Sequence, residues 1–291
     1  MLQNGPVIMG GIGGSGTRVM AEIVALFGFY MGKDLNTASD NLTYTLLFKR
    51  PAWFLKNGNK TGQIHTGLRI LEKSMIKGGK LSISEKIFLR KAVRGMSKFG
   101  HNKEGEGKGD WAYDRLPFIN SPQIPDPDSY LGWGWKEPNT HLLIPGFAEY
   151  FRNFRYIHTV RHGLDMAFSI NQQQLYNWAS LFGIDLPVSQ DEVPGASFRY
   201  WVEANRKAIS LGKQLGSQKF LVVNFDELCG KPSEGVKKIA DFLQINPTGE
   251  LLTKASGLPV IPVTTGRYKE HDLNLFDPED LSFLKDLGFS Y

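Results

Sequence analysis

The residues with the clearest potential for chemistry form a glycine-rich turn between an apolar strand and an amphipathic helix, within the segment 6–25. Glycines let the backbone bring N–H groups close to an anion, and the amino terminus of the following helix adds partial positive charge. The turn therefore predicts a phosphate cradle. The residues expected to bind phosphate are Gly13, Gly14, Ser15, Gly16, Thr17 and Arg18.

This cradle lacks the lysine of a Walker A loop. That motif ends in Gly-Lys-Ser/Thr, whereas Gly16 is followed here by Thr17 and Arg18. The lysine that reaches the β- and γ-phosphates of ATP or GTP is therefore missing. A phosphate ligand is favoured over ordinary nucleoside triphosphate chemistry, and a glycine turn without a ligand is the competing interpretation.

Two further strand ends carry basic side chains. Arg161 follows the strand candidate 156–160, and Ser169 lies in the helical pattern after it. Arginine can bind a phosphate through two parallel N–H bonds, and serine adds a hydroxyl donor. Such an arginine alone is more often a surface or ion-pair residue, but together with the cradle it favours a second phosphate site. Lys136 ends the strand candidate 131–136 in the same way.

The scaffold must bring these strand ends together. Strand candidates alternate with helical patterns, which predicts an α/β fold with a P-loop-type parallel sheet flanked by helices. After the first strand, the strand candidates are 131–136, 156–160 and 219–225, and the later helical patterns are 198–215, 233–243 and 278–287.

A helical insertion is predicted between the first helix and the second strand candidate. Helical spacing occurs at 65–77 and 84–98, with Gly78 and Gly79 between the two pieces. We expect a single domain, 1–291, in which the insertion and its loops occupy about 42–130.

Composition limits the class of protein. The chain has 291 residues and a net charge of +5, which favours anionic ligands, but its lysines and glutamates are interspersed, so nucleic acid is not an expected partner. No apolar run approaches the roughly 20 residues of a membrane helix, and the start does not resemble a secretory signal. We therefore expect a cytoplasmic protein without a transmembrane segment. The single cysteine, Cys229, fits a reducing compartment.

The most basic region is 86–108. Its simplest interpretation is a solvated helix face followed by a glycine-rich loop, and contact with an acidic substrate or a membrane surface is the alternative. Its cations are Lys86, Arg90, Lys91, Arg94, Lys98, Lys103 and Lys108.

Four motifs together resemble those of the sulfotransferases that use 3′-phosphoadenosine 5′-phosphosulfate (PAPS). They are GGSGTR at 13–18, WKEP at 135–138, RHGLDMAFS at 161–169 and VVNFDEL at 222–228. The resemblance implies a P-loop sulfotransferase fold, PAPS as the donor and no metal requirement. It points to the carbohydrate- and tyrosine-type branch rather than to the branch with a histidine base.

The resemblance implies that the cradle holds the 5′-phosphosulfate. Ser15, Gly16 and Thr17 match the 5′ element of the family. The usual basic residue of that element is absent, because Gly14 takes its place. Arg18 is a candidate to supply the missing charge, and the alternative is that it faces solvent.

The second basic turn matches the family's 3′ element. Arg161, Asp165 and Ser169 fit its spacing, so the resemblance implies that Arg161 and Ser169 hold the 3′-phosphate. The segment TTGRYKEH near the carboxyl end resembles the late loop that closes over PAPS. Arg267 in that segment is therefore a further candidate phosphate contact.

Catalysis would need a positive group at the transferred sulfuryl and a general base for the acceptor hydroxyl. By resemblance Lys136 supplies the positive group. The histidine branch carries its base two residues after this lysine, where this sequence has Pro138. The resemblance therefore favours a carboxylate from the loop after the first helix. Asp34 is preferred, and Asp40 is second because it could instead cap the next helix.

Three functions remain open. The first is a sulfotransferase acting on a small molecule, glycan or glycolipid with a hydroxyl group, with a carbohydrate or glycolipid slightly preferred. The second is a P-loop nucleotide kinase or NTPase, against which the missing lysine counts. The third is a catalytically degenerate nucleotide-binding module, which the substitution by Gly14 keeps open. His65 and His141 are weaker candidates for catalysis, more in keeping with structural roles.

Overall fold

The computed structural model of the chain describes residues 5–102, 105–123 and 125–291. The cation Lys103 of the basic region thus lies outside the described residues. In this part of the chain, no helix combines the length and apolar character needed to cross a bilayer.

A five-stranded parallel sheet forms the centre of the molecule, as the alternation of strands and helices predicts. The strand order is β2-β3-β1-β4-β5. In chain order the strands are β1 (Val7–Gly11), β2 (Phe29–Tyr30), β3 (Gly132–Lys136), β4 (Arg155–Val160) and β5 (Phe220–Asn224).

Helices cover both faces of the sheet. The first eight are α1 (Thr17–Leu26), α2 (Leu42–Phe48), α3 (Pro51–Asn57), α4 (Thr61–Glu72), α5 (Ile83–Phe99), α6 (Leu116–Asn120), α7 (Ile144–Tyr150) and α8 (Gly163–Ala167). The remainder are α9 (Gln173–Trp178), α10 (Val193–Leu215), α11 (Phe225–Gly230), α12 (Pro232–Leu243), α13 (Gly249–Ser256) and α14 (Pro278–Asp286).

The strand β1 is buried on both sides, which explains its uninterrupted run of apolar and small residues. Ile8 points into one apolar core, together with residues of α2, α4, α5 and α10. Val7 and Met9 point into a second core, formed with α1 and α12. Because β1 cannot shift without disturbing both cores, the turn that follows it has a fixed position.

Helices dominate the region between β2 and β3. The predicted pattern at 65–77 is observed as α4, which begins earlier at Thr61 and continues as a π-helical turn, Lys73–Lys77. Gly78 and Gly79 then adopt φ values of 65° and 89°, which end the helical path. Ser82 caps α5 in a reciprocal capping box with Glu85.

Candidate active site

The carboxyl ends of β1, β3 and β4 open into one cleft of about 880 Å³. Because β1 lies between β3 and β4, the glycine-rich turn after β1 lies between Lys136 at the end of β3 and Arg161 just after β4. Parallel sheets commonly bind ligands at such a point, where connections leave the sheet in opposite directions. The cleft is therefore the candidate active site.

The cradle has the backbone geometry of an anion site. Gly14 and Gly16 have φ values of 91° and 87°, in the left-handed region that favours glycine. Gly16 also precedes α1, and a Cβ atom there would lie 2.2 Å from the ring of Phe225. The hydroxyl of Ser15 is buried and has no hydrogen-bond partner among the described residues. The turn thus lines the cleft with Gly13, Gly14, Gly16 and Thr17 at the start of α1, where helix N–H groups are free, whereas the buried Ser15 hydroxyl is not part of the cleft lining.

Arg161 lies on the β4 side of the cradle. Its side chain is only 9% exposed, and its Nη2 donates to Thr264 Oγ1 at 2.9 Å. Its Nε has no partner in the described part of the chain. Ser169 lines the same cleft, although it lies two residues beyond the end of α8 and not within the helix as predicted. The structure therefore brings the two residues of the predicted 3′ element to one side of the cradle.

The late loop is attached to this side of the cleft by Asp165, whose Oδ2 accepts from the Gly266 N–H at 2.9 Å. Arg267 follows and donates to the carbonyls of Thr264 and Phe168. It lines a small cavity that it shares with Arg161, rather than the main cleft. Burial and the nearby Arg161 guanidinium lower the pKa of Arg267. Arg267 is thus close to the predicted phosphate group but is turned toward backbone carbonyls.

Lys136 and Asp40 meet on the β3 side of the cradle. Lys136 is only 2% exposed, and its ammonium donates to Asp40 Oδ1 at 2.5 Å and to the Ala38 carbonyl at 3.0 Å. Asn36 donates to the other oxygen, Asp40 Oδ2, at 3.0 Å, and its own Oδ1 accepts from the backbone N–H groups of Ala38 and Asp40. Both charged groups line the main cleft.

Asp34, the preferred base from the sequence, lies in a different place. Its Oδ2 is 2.9 Å from Arg115 Nε, and it lines a separate cavity of about 160 Å³. Burial raises the pKa of Asp34 to about 6, although Arg115 acts in the opposite direction. The backbone carbonyl of Asp34 accepts from Leu42, so the loop turns back and carries Asp40 to Lys136. The structure therefore does not bring Asp34 to the predicted catalytic lysine.

Arg18 lies at the edge of the cleft on the first turn of α1. Its side chain is 61% exposed, and its Nε is 3.7 Å from Glu22 Oε1. It is thus available at the rim but is not held against the cradle.

Three cleft residues near Lys136 have no place in the four motifs. The Lys49 ammonium is 3.3 Å from Oε1 of the buried Glu137. The sequence does not reveal this ion pair, because the two residues lie far apart in the chain. His101 and Trp111 pack with tilted rings, centroids 5.3 Å apart, and both line the cleft. Burial, followed by the charge of Lys49, lowers the pKa of His101. The sequence signal that could have indicated His101 is its position at the start of the glycine-rich segment 100–111.

The two histidines named from the sequence lie outside the cleft lining. His141 is buried against His158, with ring centroids 6.0 Å apart, and burial lowers its pKa to about 3. His65 packs against the ring of Tyr150.

Several solved structures are similar to the chain. A sulfotransferase domain from the olefin synthase of Synechococcus PCC 7002 is 14% identical, with a TM-score of 0.46, covering 99% of this chain and 97% of that one. A sulfotransferase domain from the curacin biosynthetic pathway is 15% identical, with a TM-score of 0.48, covering 100% and 99%. A retinol dehydratase in complex with androsterone and inactive cofactor PAP is 11% identical, with a TM-score of 0.39, covering 97% and 80%.

No curated protein matches the chain in sequence. The sequence model of the sulfotransferase family does match it, over residues 53–248. The matched region exceeds half of the chain and contains Lys136, Arg161 and Ser169, but it begins after the cradle. The chain is therefore a member of the sulfotransferase family, and the family implies PAPS as the sulfuryl donor.

Proposed function

We propose that the protein transfers the sulfuryl group of PAPS to a hydroxyl of a carbohydrate or glycolipid acceptor. The observation that carries the proposal is the arrangement around β1. One anion cradle lies between a buried lysine at the end of β3 and a buried arginine just after β4. A donor with phosphate groups at both ends of a nucleoside would use both sides of this arrangement.

The residues present fit such a donor. The N–H groups at the start of α1 would hold the 5′-phosphosulfate, with Gly13, Gly14, Gly16 and Thr17. The unpartnered Ser15 hydroxyl is buried outside the cleft lining, so it would have to turn toward the ligand to join them. The unpartnered Arg161 Nε and the Ser169 hydroxyl would hold the 3′-phosphate, with Arg267 as additional positive charge. When bound, PAPS supplies an activated sulfuryl group whose leaving group is a phosphate.

Lys136 would stabilise the negative charge that develops on the leaving phosphate. Transfer of this kind has a loose transition state, so positive charge at the leaving oxygen is the largest contribution a side chain can make. The ammonium is buried, which strengthens its field, and its contacts with Asp40 and the Ala38 carbonyl fix its position beside the cradle. Arg18, at the exposed rim, would contribute less.

Asp40, rather than Asp34, would accept the proton of the acceptor hydroxyl. The Asp40 carboxylate lines the cleft and lies beside the Lys136 ammonium, which belongs to the same lining. Asp34 would require a rearrangement of the loop and the loss of its pair with Arg115. A base must come within about 3 Å of the proton that it takes, and Asp40 is the carboxylate that the fold places next to Lys136.

The lining beyond Asp40 supports a sugar acceptor. It presents polar groups that can bind several hydroxyls and one flat aromatic surface against which a sugar ring can stack. These residues are Thr45, Lys49, His101, Asn102, Glu106 and Trp111.

Transfer of label from PAPS to a panel of acceptors tests the function. The panel should contain glycans, glycolipids, small alcohols and phenols. We expect transfer to a glycan or glycolipid, and we expect Lys136→Met to lower kcat by at least about 10²-fold with little change in the affinity for adenosine 3′,5′-bisphosphate. Lys213→Met, an exposed change on α10, is the matched control.

Three results would overturn the proposal. Preferred transfer to phenols would refute the acceptor class. Nucleotide binding without transfer to any acceptor would favour a degenerate module, and Mg²⁺-dependent ATP hydrolysis or phosphoryl transfer would favour a kinase or NTPase.

A further inference from the structure

The outward side of α5 forms an unusual surface. Exposed residues recur along it at helical spacing, and at 100° per residue they fall within one face of the helix. We call this surface the basic face. It consists of Ile83, Lys86, Ile87, Arg90, Lys91, Arg94 and Lys98.

The five cations of the basic face are not paired with carboxylates. None of them forms an ion pair with any residue in 5–102, 105–123 or 125–291. The only acidic residue of α5, Glu85, is buried on the opposite side of the helix, where it pairs with Lys73 and Arg69. The exposed charge of this face is thus entirely positive.

Two isoleucines lie among these cations. Ile83 is 80% exposed and Ile87 is 48% exposed. They are one helical turn apart, with Lys86 and Arg90 on one side and Lys91 on the other. A helix face that only needs to be solvated gains nothing from exposed isoleucines. Apolar side chains surrounded by lysine and arginine are instead typical of helices that lie on a lipid surface.

We propose that the basic face docks onto an anionic lipid bilayer. The cations would contact lipid headgroups, and Ile83 and Ile87 would enter the boundary between headgroups and acyl chains. Nucleic acid also attracts cations, but its backbone offers no environment for two exposed isoleucines. The combination of charge and apolar contact therefore favours the lipid surface. This inference is independent of the acceptor proposed above.

The carboxyl end of α5 lies close in the chain to the cleft lining, so docking of this helix would also orient the cleft. The helix is about 25 Å long, from 17 residues at 1.5 Å each, and it ends at Phe99. His101, two residues later, lines the cleft on the side of Lys136 and Asp40. A docked molecule would therefore hold the acceptor side of the cleft near the membrane surface.

Vesicle co-sedimentation tests the proposal. The full chain should sediment with vesicles of phosphatidylcholine containing 30% phosphatidylserine and should remain in the supernatant with phosphatidylcholine alone. Sedimentation should decrease as salt is raised from about 0.1 M to 0.5 M, because salt screens the headgroup charge. Replacing the five cations of the basic face by Gln should weaken the partition coefficient at least tenfold.

A matched variant separates position from net charge. Five exposed lysines outside α5 are changed to Gln, which gives the same net charge and should leave vesicle binding within about twofold. These control residues are Lys213, Lys231, Lys238, Lys254 and Lys285. Unchanged thermal unfolding and unchanged affinity for adenosine 3′,5′-bisphosphate verify that both variants are folded.

A variant of the two isoleucines tests the apolar part of the proposal in the same co-sedimentation assay. Changing Ile83 and Ile87 to Ser keeps every charge, and it should weaken binding to the anionic vesicles at least threefold. The proposal is refuted if the wild type does not bind anionic vesicles. It is refuted equally if the matched lysine variant loses as much vesicle binding as the variant whose five basic-face cations are changed to Gln. It is also refuted if the Ser variant binds vesicles normally, or if a 20-nucleotide RNA or DNA displaces the protein from them at equal phosphate concentration.

Discussion

Replacement of Arg161 by Ala gives the sharpest test of the donor site, because Arg161 is the residue proposed to distinguish a nucleotide with a 3′-phosphate from one without. Its guanidinium is buried between the cradle and the late loop. Its Nη2 is engaged by Thr264, and its Nε has no partner in the described chain. A phosphate on this side of the cradle would meet a charged donor that is already held in place.

The size of the effect follows from the hydrogen bonds that are lost. A hydrogen bond to a charged group contributes about 1.5–3 kcal/mol. Loss of two such bonds from Arg161 therefore costs at least about 3 kcal/mol, which is about 150-fold in Kd. The affinity for 5′-AMP should change by less than about threefold, because that ligand has no 3′-phosphate.

Isothermal titration calorimetry with adenosine 3′,5′-bisphosphate and 5′-AMP measures both quantities. Arg155→Ala is the matched control. Arg155 begins the same strand β4, at the end away from the cleft, and its side chain donates to Gln244. This variant should bind both nucleotides as the wild type does.

Two results would refute the reasoning. One is equal affinity of the wild type for the two nucleotides, which would mean that the 3′-phosphate is not recognised. The other is an equal loss of affinity for both nucleotides in Arg161→Ala, which would indicate a general disturbance of the cradle.

Three further predictions concern other groups. Asp40→Asn should lower kcat about 10²-fold without weakening nucleotide binding, whereas Asp34→Asn should lower it less than threefold, and steady-state kinetics showing the reverse order would restore Asp34 as the base. His101→Gln should raise the KM for the acceptor several-fold with unchanged donor affinity, because the ring lines the cleft near Lys49 and Asp40, where the acceptor is proposed to bind; a donor effect alone would contradict this placement. Burial lowers the pKa of His141 to about 3 and of His158 to about 4. Because both histidines are near 6.5 when unfolded, the free energy of unfolding should fall as the pH drops below about 6.5, by about 2 kcal/mol each at pH 5. Urea unfolding at pH 8 and pH 5 measures this loss, His158→Gln should reduce it, and a stability that rises toward pH 5 would refute the assignment.

Much of the fold could be predicted because its signals are local. The strand candidates 131–136, 156–160 and 219–225 agree with β3, β4 and β5 to within one residue at each end, whereas the two-residue strand β2 has no counterpart among the predictions. A buried parallel strand needs a short apolar run, and the crossover between parallel strands needs a helix. Both requirements are satisfied within a few residues of chain, so they are visible in the sequence.

The choice between Asp34 and Asp40 was not visible in the same way. Both carboxylates lie in one short polar segment, and either could in principle follow the first helix into the cleft. The outcome depends on where the loop turns, which is decided by Asn36 within the loop and by the backbone bond from Asn41 to Lys136. Contacts between segments 96 residues apart then select Asp40 as the partner of Lys136.

The sequence by itself determined the parallel sheet, the cradle without a Walker lysine, and the spacing of Arg161 and Ser169. These features repeat within single strand-turn-helix units, where steric and hydrogen-bonding rules act over short distances. Only the tertiary structure decided which side chains share the cleft, bringing Lys49, His101 and Asp40 around Lys136 and placing Asp34 elsewhere. The physical reason is that this selection depends on packing between distant segments, whose partners no local pattern records.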